Sequence, residues 1–336
     1  MPDLRTLLSF RRLSAVYIFV LLFAIFGLTQ PDTFLTTGTW RSLLDTQALV
    51  AMLAIGLTIP VAAGVFDLAI GAQVGLTTIF ISWLLVNQGT DPMAAIPLTL
   101  GLGALVGLTS GILVAVVKLD SFIATLGMSS VAGACTMWLS GGSQVLGLPS
   151  GFVSFATNRF LGLTYPVWMM LLVAVVVWYV LEMTPVGRQI YATGGNEPSA
   201  RLAGVNTTVI QILSLMACGV IAAFVGLLLA SRLGTGDPSV GPSYLLPAFC
   251  AVFLGSTQFK AGRFNVWGTV VAVYVLAVGV TGLQLSGAPV WIPDLFNGLA
   301  LLIAVSMAKL GHAHNTLGGI RRLVNRVPFV AGRTGA

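Results

Sequence analysis

Charged residues are scarce in this chain of 336 residues. Asp, Glu, Lys and Arg together make up 8% of it, whereas hydrophobic residues make up 57%. Soluble domains carry about 25% charged residues, which keep their surfaces compatible with water. A chain with so few charges cannot cover its surface with polar groups, so the expected solvent is mostly lipid. This composition excludes an ordinary soluble domain.

Reactive and metal-binding residues are scarce as well. The three cysteines, Cys135, Cys218 and Cys250, lie far apart in apolar runs, and the two histidines, His312 and His314, have no third ligand nearby. We interpret the cysteines as small core residues and predict no metal site and no cofactor. The chain lacks a Gly-x-x-x-x-Gly-Lys-Ser/Thr phosphate loop. Its basic residues are too dispersed for a nucleic-acid surface.

Long apolar segments dominate what is present. A helix needs about 20 mainly apolar residues to cross a bilayer, and continuous runs favour helices over a β-barrel. The sequence therefore predicts an all-α, polytopic transmembrane helix bundle, and the Gly-rich stretch 141–161 is expected to be an exposed loop. The ten predicted spans are 13–30, 46–65, 68–87, 93–117, 122–140, 162–181, 209–230, 243–257, 265–285 and 290–309.

The distribution of lysine and arginine predicts the orientation. With ten spans, thirteen basic residues fall on the side of the termini and three, Arg41, Arg159 and Arg232, on the other side. Because cytoplasmic loops carry the excess of basic residues, both termini are predicted to be cytoplasmic. The domains are then a cytoplasmic segment 1–12, a transmembrane domain 13–309 and a cytoplasmic tail 310–336.

Residues 183–208 form the longest polar stretch between predicted spans, and the topology places them in the cytoplasm. They contain the signals of one short helix. Asn196 is a suitable N-cap, Glu197 and Pro198 suit the first turn, and Gly204 suits the end. A two-turn helix is unstable alone in water, so we expect it to dock on another surface. An ordinary capped loop is the alternative.

Small and polar residues within the spans predict packing faces and candidate pathway residues. Gly103, Gly107 and Gly111 recur every four residues, which favours close helix packing. Asp67 is expected to cap the third span at the cytoplasmic interface, and a buried functional carboxyl group is the alternative. Interhelical hydrogen bonds and an interfacial aromatic belt are the alternatives for the other candidates. The candidate substrate-pathway residues are Asp67, Gln73, Phe122, Thr125, Gln284 and Asn297.

Three stretches resemble one known family. The strings Gly187–Ala192, Gly194–Glu197 and Ala200–Gly204 are similar to the cytoplasmic loop of ribose-type sugar ABC permeases. Gly64–Gly71 is similar to that family's Gly-Gly-Ile-Asp-Leu-Ser-Val-Gly motif, and Ser121–Gly127 to its Ser-Phe-Ile-Val-Thr-Leu-Gly motif. The resemblance extends over roughly residues 15 to 310 in order and spacing.

The resemblance implies a permease subunit of the cytoplasmic (inner) membrane that imports a small polar solute. It also implies cytoplasmic ATPase subunits, an extracytoplasmic solute-binding protein and a second permease chain, identical or homologous. The expected solute is a monosaccharide; a sugar-like autoinducer, a polyol or an amino acid is the alternative. Small residues such as Ala200 are expected to fit an ATPase groove. The implied coupling residues are Gly187, Arg188, Gly194, Asn196, Glu197, Ala200, Arg201 and Gly204.

The sequence also departs from the family pattern. Val65 and Ala69 replace a glycine and a serine, and Tyr244–Ala251 lacks the two acidic residues found there in the family. These changes leave the fold unaffected and bear on the solute. An ion-coupled transporter would need paired buried ionisable residues, and Asp67 is the single candidate. A membrane enzyme would need a convergent His/Asp/Glu cluster, which the sequence does not supply.

Overall fold

The computed structural model describes residues 14–259 and 262–306, most of which are helical. A 3-10 turn spans Gly241–Tyr244. The helices are α1 (Ser14–Thr29), α2 (Pro31–Phe34), α3 (Thr37–Ala62), α4 (Ile70–Val86), α5 (Pro92–Ala115), α6 (Ser121–Ser140), α7 (Ser150–Thr157), α8 (Tyr165–Met183), α9 (Pro185–Gly195), α10 (Glu197–Leu202), α11 (Thr207–Leu233), α12 (Leu245–Ser256), α13 (Val266–Leu285) and α14 (Ile292–Ser306).

Several long helices begin at a capping side chain. A carboxylate oxygen of Asp91 accepts the Met93 N–H at 2.7 Å at the start of α5. At the start of α6, a carboxylate oxygen of Asp120 accepts the Phe122 N–H at 3.0 Å. Asn265 accepts the Gly268 N–H at 2.7 Å at the start of α13. Each cap satisfies a backbone donor that the helix leaves free, which stabilises it by about 1 kcal/mol.

The bundle is organised around α11, which packs against α3, α4 and α5. The glycines of α5 make this packing close: a Cβ atom added at Gly107 would lie 2.8 Å from the Met216 Cα, and one at Gly111 would lie 2.8 Å from the Ile212 Cα. Gly103 similarly contacts the Gly219 backbone. The predicted small-residue face is therefore confirmed, and its partner is α11.

In residues 14–259 and 262–306, ten apolar helices follow the order of the ten predicted spans. Six of them are long and apolar enough to cross a membrane: α3, α5, α6, α8, α11 and α13. The shorter apolar helices are Tyr17–Thr29, Ile70–Val86, Gly241–Ser256 and Ile292–Ser306. The all-α membrane bundle is confirmed at this level. Segment 1–12 and tail 310–336, with both histidines, lie outside the described residues.

The stretch 141–161 is mostly exposed, as expected, but it contains regular secondary structure. Strand β1 (Val145–Leu146) pairs antiparallel with β4 (Thr235–Gly236), and β2 (Arg159–Phe160) pairs with β3 (Leu163–Thr164). Between them, α7 is held by Ser231, whose hydroxyl accepts the Ala156 N–H at 3.1 Å. This substructure covers the end of the bundle opposite residues 183–208. Its contacts join residues about 75 positions apart, which is why local sequence signals did not predict it.

Candidate functional site

Residues 183–208, here called the coupling segment, fold into α9 and α10. Asn196 caps α10, since its Oδ1 accepts the Ser199 N–H at 3.0 Å. Gly204 follows α10 with φ of +86°, a left-handed conformation that favours glycine. The predicted short helix with its cap and terminating glycine is thus confirmed. The 11-residue α9, which Thr184 caps, was not predicted.

Glu197 joins α10 to its own chain. Its Oε1 accepts a hydrogen bond from Arg201 Nη2 at 2.8 Å and lies 3.8 Å from Lys118 Nζ, in the α5–α6 connection. Its Oε2 accepts from Gln211 Nε2 of α11 at 3.4 Å. Exposed ion pairs contribute about 0–1 kcal/mol each. The cluster therefore orients α10 against α11 more than it stabilises the fold.

Ala200 corrects one expectation about the coupling segment. Its side chain is 5% exposed and packs inside its own chain, so it cannot fill a groove on a partner protein. Leu202, in the same helix, is 91% exposed. Arg188 and Arg201 also face solvent. Sequence reasoning missed Leu202, because only the structure shows that this leucine is exposed on its short helix.

Glycines bring the coupling segment against the transmembrane helices. A Cβ at Gly187 would collide with the backbone of Leu181, so α9 folds tightly back on α8. A Cβ at Gly194 would collide with the Ala62 carbonyl oxygen at the end of α3. A Cβ at Gly64 would lie 3.1 Å from the Gly194 Cα. The Gly64–Gly71 motif and the coupling segment are therefore in backbone contact.

The break between α3 and α4, residues 63–69, also contacts the Ser121–Gly127 motif. The Leu68 N–H donates to Thr125 Oγ1 at 3.0 Å, and the Phe66 N–H donates to Ser121 Oγ at 3.3 Å. The Phe66 ring stacks on Phe122, with centroids 4.6 Å apart. Three motifs that lie far apart in sequence thus meet at one end of the bundle.

Asp67 does not cap a helix at the membrane surface, contrary to the sequence-based expectation. It is fully buried, and the residue at the N-cap of α4 is Ala69. Asp67 Oδ1 accepts the Ala69 N–H at 3.0 Å, whereas Oδ2 has no hydrogen-bond partner. The Cys218 side chain of α11 lies beside it. Burial follows because α11 packs across the helix break, a contact that the local sequence does not encode.

The surroundings of Asp67 predict how substitutions should behave. Among the described residues no basic side chain forms an ion pair with it, and a buried unpaired charge is costly. Asp67→Asn keeps an acceptor for the Ala69 N–H, so we expect near-normal thermal unfolding of the purified chain. Asp67→Ala leaves that donor unpaired and should cost about 1–3 kcal/mol. Equal destabilisation by both substitutions would show that the negative charge itself is required.

The remaining candidate pathway residues do not all lie together. Thr125 is buried beside Asp67, and Phe122 is 46% exposed at the start of α6. Gln73 is buried next to Gly219, and neither amide atom has a partner. Gln284 is exposed at the end of α13. Asn297 lines a separate cavity of about 160 Å³ with Gln47, so the six predicted residues do not form one site.

Tyr191 makes a second link from the coupling segment, which sequence reasoning missed. Its hydroxyl donates to the Phe264 carbonyl oxygen at 2.7 Å, just before α13. The Arg263 guanidinium lies 3.7 Å from the ring centroid, a cation–π geometry. Burial raises the pKa of Tyr191 above its ordinary value, so the hydroxyl stays a donor at neutral pH. Arg263 Nη2 also lies 3.9 Å from Glu182 Oε2.

Metal chemistry finds no support in the described part of the chain. No three His, Cys, Asp or Glu side chains in residues 14–259 and 262–306 are placed to hold a metal ion. The site thus consists of a polar helix segment in backbone contact with a broken transmembrane helix. Such an arrangement can carry movement from one end of the bundle into its interior.

An apolar bundle of this kind, with a structured polar segment at one end, defines a multi-pass membrane protein. The family described as "Branched-chain amino acid transport system / permease component" matches residues 41–305. The ribose import permease of Bacillus subtilis is 35% identical over 86% of this chain and 90% of that protein. The chain belongs to this family of ABC importer permeases, and it is a transport component rather than an enzyme.

Other relatives differ in the solute that their names give. An L-arabinose permease of Azospirillum brasilense is 31% identical over 88% of this chain and 86% of its own length. An autoinducer 2 import permease of Salmonella typhi is 30% identical over 87% of this chain and 84% of its own length. No solved structure matches the chain.

Proposed function

We propose that this chain is the translocating subunit of an ATP-driven importer for a monosaccharide in the cytoplasmic membrane. It works as a pair with a second permease chain, with cytoplasmic ATPase subunits and with an extracytoplasmic solute-binding protein. The observation that carries the proposal is the meeting of three motifs at the helix break, residues 63–69, where Gly194 contacts Gly64 and Ser121 and Thr125 bind the backbone of Phe66 and Leu68. The similarity to ribose and L-arabinose permeases supports a pentose as the solute.

The proposed topology has ten spans with both termini in the cytoplasm. Six long and four shorter apolar helices support the number of spans, and the thirteen-to-three distribution of basic residues supports the orientation. The coupling segment then faces the ATPase. The substructure of β1, β4, α7 and the β2–β3 hairpin faces the binding protein.

The coupling route begins at α10 and ends at the pathway. The ATPase contacts α10 through Leu202, which projects into solvent. Movement of α10 and α9 is transmitted to the helix break through the Gly194–Gly64 contact, and to α13 through Tyr191. The break carries Phe66, whose ring stacks on Phe122. Displacement of this aromatic pair opens or closes the cytoplasmic end of the pathway.

The pathway is proposed to pass along α6 near Phe122 and Thr125. Of the six long helices, α6 has the smallest buried share, 22% of its most apolar window. In the half of α6 that begins at Phe122, the exposed side includes Gly127 and Ser130 as well as apolar residues, which suits a passage or a partner chain better than lipid alone. Asp67 and Gln73 lie behind this surface and are assigned an indirect role.

Transport by the reconstituted complex tests the proposed function. Proteoliposomes containing the permease, its ATPase and its binding protein should accumulate radiolabelled ribose or arabinose only when ATP is supplied on the ATPase side. The relatives' names justify autoinducer 2 and leucine as competitors. Import of leucine but of no sugar would contradict the assignment of a monosaccharide. Sugar uptake that persists without ATPase and follows an ion gradient would contradict the importer class.

A further inference from the structure

A large apolar cavity lies between α4, α5 and α6, away from the coupling segment. Its volume is about 600 Å³, within the range of roughly 300–1,000 Å³ typical of small-molecule sites. It is lined from residues 76–83 of α4, 102–106 of α5 and 128–139 of α6. These stretches occupy the half of the bundle nearest β1 and β4. The cavity is therefore separate from the contacts around Asp67 and Phe122.

The lining excludes the transported solute as its ligand. None of its eleven residues carries a carboxylate, an amide or a hydroxyl group. A sugar placed there would lose its hydrogen bonds to water without replacement, at a cost of about 1–3 kcal/mol for each polar group. Leu76, Val106 and Ala132 are nearly fully buried and form the floor, so the cavity suits an apolar ligand.

Exposed apolar side chains border the open side of the cavity. On the neighbouring surface of α5, Leu98 and Leu105 are more than half exposed, as expected for side chains in contact with lipid. Two tryptophans, Trp83 and Trp138, line the cavity near the ends of α4 and α6. Tryptophan favours the level of the lipid headgroups. The cavity therefore runs from the headgroup region into the hydrocarbon, between two spans.

We infer that this cavity is a binding site for one acyl chain of a membrane phospholipid. The acyl chain enters beside Trp138 and lies between α5 and α6, against the floor that Leu76, Val106 and Ala132 form. No charged side chain lines the cavity, so the site selects the hydrocarbon chain and not the headgroup. The lining of an empty apolar cavity lacks dispersion contacts on its open side, and a bound acyl chain supplies them.

The chain contains its own reporter for this site. Cys135 lines the cavity and is partly exposed, whereas Cys218 and Cys250 are fully buried. In the folded permease an apolar maleimide should therefore react at Cys135. Phosphatidylcholine added to the delipidated protein should slow this reaction about fivefold, because an acyl chain in the cavity would cover the Cys135 thiol. Cys135→Ala should abolish the labelling and identifies the reactive thiol.

Fluorescence quenching supplies an independent measurement. Phosphatidylcholine with bromine atoms in mid-chain should quench the purified permease with a saturable component at a few lipids per chain. Replacing both Trp83 and Trp138, which line the cavity, by phenylalanine should remove that component, whereas Trp178→Phe should retain it, because Trp178 packs against Trp267 outside the cavity. Phosphatidylglycerol carrying the same acyl chains should protect Cys135 equally well.

Three results would overturn the inference. Labelling of Cys135 at the same rate with and without lipid would leave the cavity without an acyl chain. Quenching that is unchanged when Trp83 and Trp138 are both replaced by phenylalanine would place the bound lipid elsewhere. Protection of Cys135 that follows protein concentration rather than lipid concentration would assign the cavity to a second permease chain.

Discussion

Replacing Gly194 by alanine should reduce solute uptake by more than tenfold. The added methyl group would overlap the carbonyl oxygen of Ala62 and lie 2.9 Å from the Gly64 nitrogen. Both atoms belong to the backbone at the end of α3, so neither can move away as a flexible side chain would. Overpacking of this kind costs about 1–3 kcal/mol and should push α9 away from the helix break. Uptake and ATP hydrolysis by the reconstituted complex measure the result.

Gly195 offers a matched control in the same helical turn. A Cβ atom at Gly195 meets no heavy atom within 4 Å. Alanine improves helix propensity by about 1 kcal/mol at either position, so that effect is shared. We expect Gly195→Ala to transport normally, and Gly194→Ala to remain folded and to hydrolyse ATP without moving solute. Equal transport by the two variants would exclude this contact from the coupling route.

Replacing Leu202 by aspartate should detach the ATPase. Burying a leucine side chain at an interface contributes about 1.5–3 kcal/mol, so its loss should weaken association by at least tenfold. The aspartate additionally carries a charge into the apolar contact. Because Leu202 is 91% exposed in the isolated chain, the permease itself should retain its thermal stability. Co-purification of the ATPase with tagged permease measures the effect.

Leu161 provides the control for Leu202. It is 78% exposed in the turn of the β2–β3 hairpin, at the opposite end of the bundle. Leu161→Asp should leave ATPase recovery unchanged. In a Cys135→Ala background, Leu202→Cys should react with an impermeant maleimide only after cells are opened. Reaction in intact cells would refute the cytoplasmic placement, and full ATPase recovery with Leu202→Asp would refute the docking role.

The short helix of the coupling segment shows what local sequence can predict. Asn196, Glu197, Pro198 and Gly204 act within their own turn, so their roles as cap, first-turn residues and terminator follow from backbone geometry. The contacts of that helix do not follow. Ala200 was expected to face a partner, yet it faces its own chain because Glu197 holds α10 against Lys118 and Gln211.

Asp67 shows what local sequence cannot predict. Its position before an apolar run indicates a helix cap, and nothing within ten residues indicates burial. Asp67 is buried because α11 packs across the break, with Cys218, about 150 positions later, beside the carboxyl group. Ser121 and Thr125 accept hydrogen bonds from the Phe66 and Leu68 N–H groups, on either side of Asp67. Asn297 and Gln284 were grouped with Asp67 on residue type alone, and the fold separates them from it.

The sequence by itself determined the membrane class, the apolar segments, the small-residue faces and the capped helix α10. Each depends on composition or on periodicity within one helix, where neighbouring residues share the same physical environment. Only the tertiary structure decided which motifs meet, which carboxyl group is buried and where an apolar cavity opens. Those outcomes depend on helix packing, in which contacts as short as that between Gly64 and Gly194 join positions 130 residues apart.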